Sequence, residues 1–311
     1  MMGKLTWLDK VERIPESAIT VGTFDGVHAG HKVLINRLVE KAKSVNGRSV
    51  VVTFDPHPRE VLHGGNNTIS LLTTLEERAS ILNEIGVDEM VVIPFDREFS
   101  LMDSEAFIRD ILWGKIGLKE FIIGYDHQFG RNREGSVKTA KTLSDELGFN
   151  VTMVEAQEVD KITVSSTSVR KALSEKGDVG LARAFLGRPY LIKGTVVHGD
   201  KRGRTIGYPT ANLMPQHRRK VIPLKGVYAV EVEWQGKKYG GMMNIGHRPT
   251  VSDEKDLRLE VHIFDFSQEV YGRSLDVHFI KRIRDEKRFS GLEELQSQLD
   301  KDKADCKAAL K

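Results

Sequence analysis

The chain has 311 residues, 40% hydrophobic and 29% charged, and its 47 basic residues barely outweigh 44 acidic ones for a net charge of +3. That length supports two domains with a core each, and that balance excludes a disordered chain and a polybasic nucleic-acid-binding tail. The single cysteine, Cys306, excludes an intramolecular disulfide and a cysteine metal cluster.

The N-terminal MMGKLTWLDKVERIPES lacks the apolar core of a signal peptide, and no stretch approaches the ~18 apolar residues of a membrane span. A reducing cytoplasm, no membrane and no nucleic-acid partner are therefore expected. Ala18 to Phe24 then reads as a strand apolar on both faces. Lys32 to Val45 carries helical periodicity through Val33, Leu34, Leu38, Ala42 and Val45, with a start near Gly30. Between them lies ITVGTFDGVHAGH, which sets His28 and His31 at an HxGH spacing where Gly26 and Gly30 permit a tight turn. The N–H groups and dipole of the helix face that loop, and imidazoles there can donate to phosphoryl oxygens as charge builds in a transition state. Two ordinary turn histidines fit the spacing alone equally well.

Alternation continues with Ser49 to Phe54 as a strand, Leu75 to Ile85 as a helix capped by Thr74 and Glu77, and Glu89 to Pro94 as a strand. Ser104 to Trp113 reads as a helix, Phe121 to Gly124 as a strand, Val137 to Leu147 as a helix and Val151 to Glu155 as a strand. Short helices over Ser168 to Ser174 and Val179 to Leu186 are expected to close this half. Such alternation predicts a doubly wound parallel sheet, whose chemistry gathers at the C-terminal ends of its strands. The loops expected there are Phe54-Asp55-Pro56-His57-Pro58, Gly124 to Gly130, and Val164 to Arg170, the last with hydroxyls and an arginine suited to a triphosphate tail.

Past Gly187 the pattern becomes β-rich, with strands over Tyr190 to Val197, Gly226 to Trp234, Lys238 to Asn244, Arg258 to Phe266 and Ser274 to Phe279, and a helix over Gly291 to Leu310. An antiparallel barrel with a C-terminal helix fits this half. Its segment GTVVHGDKRGRTIGYPTANL is glycine-rich but has no P-loop spacing. Backbone N–H groups near Gly199, Gly203 and Gly207 could cradle phosphates beside Lys201, Arg202 and Arg204. Thr210 and Asn212 share a strand face and offer hard oxygens suited to Mg²⁺. In Leu257 to Phe266, Leu259, Val261 and Ile263 fall on one face and Glu260, His262 and Phe264 on the other. Glu260 reads either as a general base with a burial-raised pKa or as part of the solvent face of an edge strand. The runs Arg218-Arg219-Lys220 and Lys281-Arg282-Ile283-Arg284 read as solvated or phosphate-facing.

The ordered set GTFDGVHAGH, FDPHPREVL, GYDHQFGRNREG and SSTSVR resembles the adenylyltransferase module of bacterial bifunctional riboflavin kinase/FAD synthetases, a branch of the HxGH nucleotidyltransferases. The resemblance implies transfer of AMP from ATP to FMN, giving FAD and pyrophosphate. It places His28 and His31 at the α-phosphate, Gly22, Thr23, Phe24 and Gly30 in the nucleotide-binding loop, and Ser165, Ser166, Thr167 and Arg170 at the β and γ phosphates. His57, Asp126, Phe129 and Asn132 would bind the flavin. The second half resembles a riboflavin kinase domain through Gly194 to Leu213, Gly226 to Ala229, Asn244 to Thr250, Leu259 to Phe266 and Tyr271-Gly272. By that resemblance Glu260 deprotonates the riboflavin 5′-hydroxyl, Thr210 and Asn212 hold Mg²⁺ against ATP, and Gly199, Lys201, Gly203 and Gly207 belong to a segment folding over the phosphates. The expected division is residues 1–186 for FMN adenylylation and 187–311 for riboflavin phosphorylation. A nucleotidyltransferase for another phosphate-bearing substrate, or a flavin- or nucleotide-sensing regulator, remain open on sequence alone.

Overall fold

The computed structural model describes residues 3–62, 69–124, 129–131, 134–155, 158–159, 162–199, 206–247 and 257–311. It divides into two compact units, Met1–Ser166 and Thr167–Lys311.

In the first unit six strands, β1 (Lys4–Trp7), β2 (Ser17–Val21), β3 (Ser49–Asp55), β4 (Glu89–Pro94), β5 (Leu118–Gly124) and β6 (Asn150–Val154), form one parallel sheet in the order β1-β4-β3-β2-β5-β6. Both residue sets of the central strands are apolar, so each face needs a cover. Ala18, Val51, Met90 and Val92 pack under the helices Ala29–Ser44 and Leu75–Ile85, while Ile19, Val50, Val91 and Phe121 pack under Phe107–Ile116 and Val137–Leu147. The helix Leu75–Ile85 begins with the expected capping box of Thr74 and Glu77 and ends at Gly86 in a left-handed conformation, φ 102°. The helix expected over Ser104 to Trp113 is α-helical only over Ser104–Ala106. It continues as a wider π-type coil to Ile116, closed by a bond from Gly117 N–H to Leu112 C=O at 2.9 Å. A two-stranded hairpin of β7 (Glu158–Val159) and β8 (Ile162–Thr163) follows.

The second unit is a closed antiparallel barrel of β9 (Tyr190–Val197), β10 (Ala211–Pro215), β11 (Gly226–Trp234), β12 (Lys237–His247), β13 (Leu257–Ile263) and β14 (Ser274–Arg284), in the order β10-β13-β12-β11-β14-β9. Strand alternation sends Ile192, Val230, Val261 and Val277, all fully buried, to its interior. The opposite faces of β11, β12 and β13 are not all left to solvent. Ala229, Met242 and Phe264 form an outer cluster with Tyr208 and Cys306, covered by Leu299 and Leu310 at the C-terminal helix Leu292–Ala309. That helix is fixed by Asp302, fully buried, whose carboxylate accepts from Nε and Nη2 of Arg284, each at 2.8 Å. Arg284 is thus structural, and Lys220 is buried with its ammonium 5.0 Å from the Tyr190 ring centroid; neither is a simply solvated charge.

The helices Ser166–Ser174 and Val179–Leu186, expected to close the first half, pack instead with the barrel from Thr167 onward. Leu224 N–H donates to Leu173 C=O at 2.8 Å, and the apolar stripe Val179, Ala182, Phe185 and Leu186 is buried beside β14 and β9. No helix among the described residues is long and apolar enough to cross a membrane.

Candidate active sites

In the first unit β2 sits between β3 and β5, the point where the chain's crossovers leave the sheet toward opposite sides. Crevices at such switch points, beyond the carboxyl ends of the strands, are where open α/β sheets bind ligands. The loop leaving β2 is strained, with non-glycine residues Phe24 (φ 46°) and Val27 (φ 42°) in the left-handed region. Such residues cost of order ~1 kcal/mol each and persist only where the surroundings hold them.

What holds them is a buried polar network. The Asp25 carboxylate, fully buried, accepts from Leu72 N–H, from Thr73 N–H at 2.9 Å and from the Thr73 hydroxyl at 3.1 Å, while Gly26 N–H donates to Thr73 Oγ1 at 3.0 Å. Arg78, only 4% exposed, balances the Asp25 charge at 3.6 Å and donates to Thr53 Oγ1 at 3.0 Å. The Thr53 hydroxyl in turn donates to the Thr23 carbonyl at 3.2 Å. Sequence reasoning missed Thr73 and Arg78 because they lie far along the chain from the loop they clamp; the Thr74 capping box beside them was the available signal.

On this support His28 caps the helix Ala29–Ser44, its Nδ1 accepting from His31 N–H at 3.3 Å. That bond leaves the ring proton of neutral His28 on Nε2. The His31 ring stacks on His28, with centroids 3.6 Å apart and planes at 18°, and meets Phe24 edge-on at 5.0 Å. Burial, then the neighbouring His28 and Arg78, hold the His31 pKa well below the usual imidazole value, and its Nδ1 is buried without a hydrogen-bond partner. His31 is therefore held neutral, and a ring N–H on each imidazole can donate a hydrogen bond to a phosphate. At Gly22 a Cβ would press to 3.0 Å on the Phe24 ring, and at Gly30 it would touch the His28 ring at 3.4 Å.

Of the other expected residues, Ser166 joins this loop, its hydroxyl donating to Asp25 C=O at 2.8 Å, with Ser165 adjacent. Thr167 and Arg170 continue along the helix Ser166–Ser174 within the second unit. His57 follows β3 and accepts from Arg59 N–H through Nδ1 at 3.2 Å, at the start of the helix Pro58–Leu62. Phe129 is 6% exposed and packs against Phe107 and Phe121 in the core. Asp126 and Asn132 lie outside the described residues.

In the barrel, register aligns the second set of residues. Asn212 of β10 pairs with Glu260 of β13, and Glu260 pairs on its other side with Asn244 of β12. Directly opposed residues share a face with Cβ atoms about 4.5–5.5 Å apart. Neighbours Leu213, Leu259, Val261, Met243 and Ile245 are buried to the interior, so this polar row runs along the outside of the barrel wall. Asn244 escaped the sequence reading as a site residue because its place beside Glu260 depends on strand register. Glu260 is 31% exposed with Arg258 Nη1 at 3.8 Å, between the buried base and the solvent-face carboxylate that its alternation left open. His262, expected on a solvent face of an edge strand, is 7% exposed on a strand paired on both sides, because the C-terminal helix covers that part of the wall.

Gly199 is required by contact: a Cβ there would stand 2.0 Å from Asn212 Nδ2 and 2.9 Å from Oδ1. Gly207 is required by its backbone, φ 79°. Thr210 directly precedes β10 and is half-buried. The Thr210 hydroxyl and Asn212 amide oxygen are neutral hard oxygen ligands, and with the absent Gly199 side chain leaving room for the Asn212 amide they fit Mg²⁺ in donor type. Lys201 and Gly203 lie outside the described residues.

A strained loop with two stacked histidines at the switch point of one unit and a carboxylate flanked by two amides on a closed barrel in the other suit a two-domain nucleotide-using transferase. The FAD synthetase family model matches residues 10–168 and the riboflavin kinase family model residues 186–310. The bifunctional riboflavin kinase/FMN adenylyltransferase of Escherichia coli (strain K12) is 41% identical over 285 residues, covering 91% of this chain and 90% of that one. Its counterpart in Bacillus subtilis (strain 168) is 38% identical over 299 residues, covering 95% and 93%. A crystal structure described as a macrolide-efflux protein from Streptococcus pneumoniae shares the fold at TM-score 0.86 and 32% identity, covering 96% of this chain and 97% of that chain. The chain belongs to the bifunctional riboflavin kinase/FMN adenylyltransferase family.

Proposed function

We propose that the two sites divide the family's two reactions between them, the barrel phosphorylating riboflavin to FMN and the α/β unit adenylylating FMN to FAD. The observation that carries this reading is the two family models lying in tandem along the chain, each over one of the sites. Both reactions draw on ATP. Residues 1–186 hold the groups assigned to the second reaction and 187–311 those assigned to the first.

In the barrel, Glu260 takes the proton from the riboflavin 5′-hydroxyl as that oxygen attacks the γ-phosphorus of ATP, and ADP leaves. Thr210 and Asn212 hold Mg²⁺, which when bound offsets charge on the phosphates. Gly199, Lys201, Gly203 and Gly207 belong to the segment that closes over them. In the α/β unit the FMN phosphate is already a nucleophile, so no covalent enzyme intermediate is needed. His28 and His31 donate to the α-phosphate as charge accumulates on it, and pyrophosphate leaves. Gly22, Thr23, Phe24 and Gly30 form the nucleotide loop, while Ser165, Ser166, Thr167 and Arg170 are assigned to the β and γ phosphates. His57, Asp126, Phe129 and Asn132 are assigned to the flavin. A reducing cytoplasm is the proposed location, supported by a lone, buried Cys306.

The test is to incubate the purified chain with riboflavin and MgATP and separate the products by chromatography. FMN appearing first and FAD after it is expected; FAD absent even when FMN is supplied overturns the adenylylation half.

A further inference from the structure

The segment carrying Thr210 and Asn212 is pinned just before Thr210. Tyr208 is buried, and its hydroxyl donates to Asp300 on the C-terminal helix. Its ring meets the ring of His262 edge-on at 5.2 Å, and desolvation with Asp300 nearby pushes the phenol up to about 12, so it remains a donor. The next residue, Pro209, has no N–H, and its carbonyl lies 2.8 Å from His262 Nδ1. A carbonyl only accepts, so the imidazole presents Nδ1–H to it. Burial holds the His262 pKa below the usual value, which keeps the ring neutral in this tautomer.

The Pro209 carbonyl and the Thr210 N–H belong to one rigid peptide plane. Holding the oxygen therefore fixes the plane from which Thr210 departs. His262 also lies two residues beyond Glu260 on β13, about 7 Å along the same face. One strand thus carries the carboxylate of the row and the clamp on the segment that pairs with it.

We propose that His262 is a positioning residue of the phosphoryl-transfer site, acting through the Pro209–Thr210 peptide to set Thr210 and Asn212 against Glu260. This rests on the assignment of Thr210, Asn212 and Glu260 to riboflavin phosphorylation.

The test uses the full chain and three variants. His262→Phe keeps a ring in the aromatic pocket and removes the donor. His262→Asn places an N–H near the Nδ1 position, and His262→Gln places it near Nε2. Turnover and the KM for riboflavin are measured together with binding of Mn²⁺ in the presence of ADP by electron paramagnetic resonance, and FAD formation from FMN reports on the other unit. His262→Phe is expected to lower riboflavin phosphorylation turnover and Mn²⁺ affinity each by about tenfold or more, the scale seen when partners that orient metal ligands are removed. The riboflavin KM and FAD formation should stay within about twofold, and His262→Asn should recover most of the loss while His262→Gln does not. Unchanged turnover and Mn²⁺ affinity in His262→Phe overturn the proposal. If that variant is insoluble, equal behaviour of the Asn and Gln variants overturns it. Glu260→Gln and Thr210→Ala separate the two levels. Full phosphorylation in both removes the underlying assignment, whereas loss there beside wild-type behaviour in the His262 variants removes only the positioning role.

Discussion

His31 resists protonation in the folded chain, and that has a thermodynamic consequence. Between its lowered pKa and the ordinary value of 6.5, the unfolded chain binds a proton that the folded site refuses, so stability rises with pH through this window and is lost as pH falls below about 6.5. The melting temperature of the wild type should fall between pH 7.5 and 5.5, and His31→Gln should flatten part of that slope. Burial also lowers the pKa of His262 and His278, so a residual slope should persist. An identical slope in the variant would show that His31 does not carry the effect. For the reaction itself, His28→Ala or His31→Ala should slow FAD formation from FMN by a factor on the order of 10² to 10³, the loss expected for one transition-state donor. Riboflavin phosphorylation, assayed on the same samples, should persist. The place of both histidines at the turn into the helix Ala29–Ser44 was legible from spacing and glycines, as was the polarity of Glu260's side of β13, whereas spacing alone did not separate a phosphate site from an ordinary turn. The buried state of His262 was not, because alternation assigns a residue to a face without saying what will cover that face.

At the scale of elements, the helix Leu75–Ile85 works as the anchor of a loop it never touches in sequence. Arg78→Met leaves Asp25 buried without its cation and frees the Thr53–Thr23 link. FAD formation should drop on the order of 10²-fold, as expected when reacting groups shift by about an ångström, with riboflavin phosphorylation as the internal control. Arg78→Lys restores the charge but not the branched contacts, so it should recover stability more than activity. Element boundaries followed the sequence where caps and periodicity agree, as in Leu75–Ile85 and Val137–Leu147, in Tyr190–Val197, whose burial alternates residue by residue, and in Gly226–Trp234, whose first five residues are all buried. β1 went unread because four residues with no turn signal do not announce a strand. It is held by partners distant in sequence: Thr6 donates to Glu89 at 2.5 Å and Lys4 pairs with Glu89 at 3.0 Å. The Asp25–Thr73–Arg78 network was hidden for the same reason.

For the whole molecule, the riboflavin kinase family model begins at residue 186, beside the change of pattern near Gly187, whereas the compact unit that holds the barrel begins at Thr167. A fragment of residues 167–311 should unfold cooperatively and phosphorylate riboflavin. One of residues 187–311 loses the acceptor for Leu224 N–H and the cover supplied by Phe185 and Leu186, and should melt lower. Equal melting temperatures would return the two helices to the first unit. The two sheets also differ in a way that matters when the chain is concentrated or heated. A barrel that closes on itself has no first or last strand, so its backbone offers no open ladder to a stranger. The parallel sheet does have ends. One is β1, short and headed by the exposed Lys4; the other is β6, which among the described residues has nothing paired beyond it and displays Met153 at 53% exposure. Aggregation of this chain should therefore nucleate at β6, and Met153→Lys should delay light scattering on heating while leaving FMN and FAD synthesis as they were.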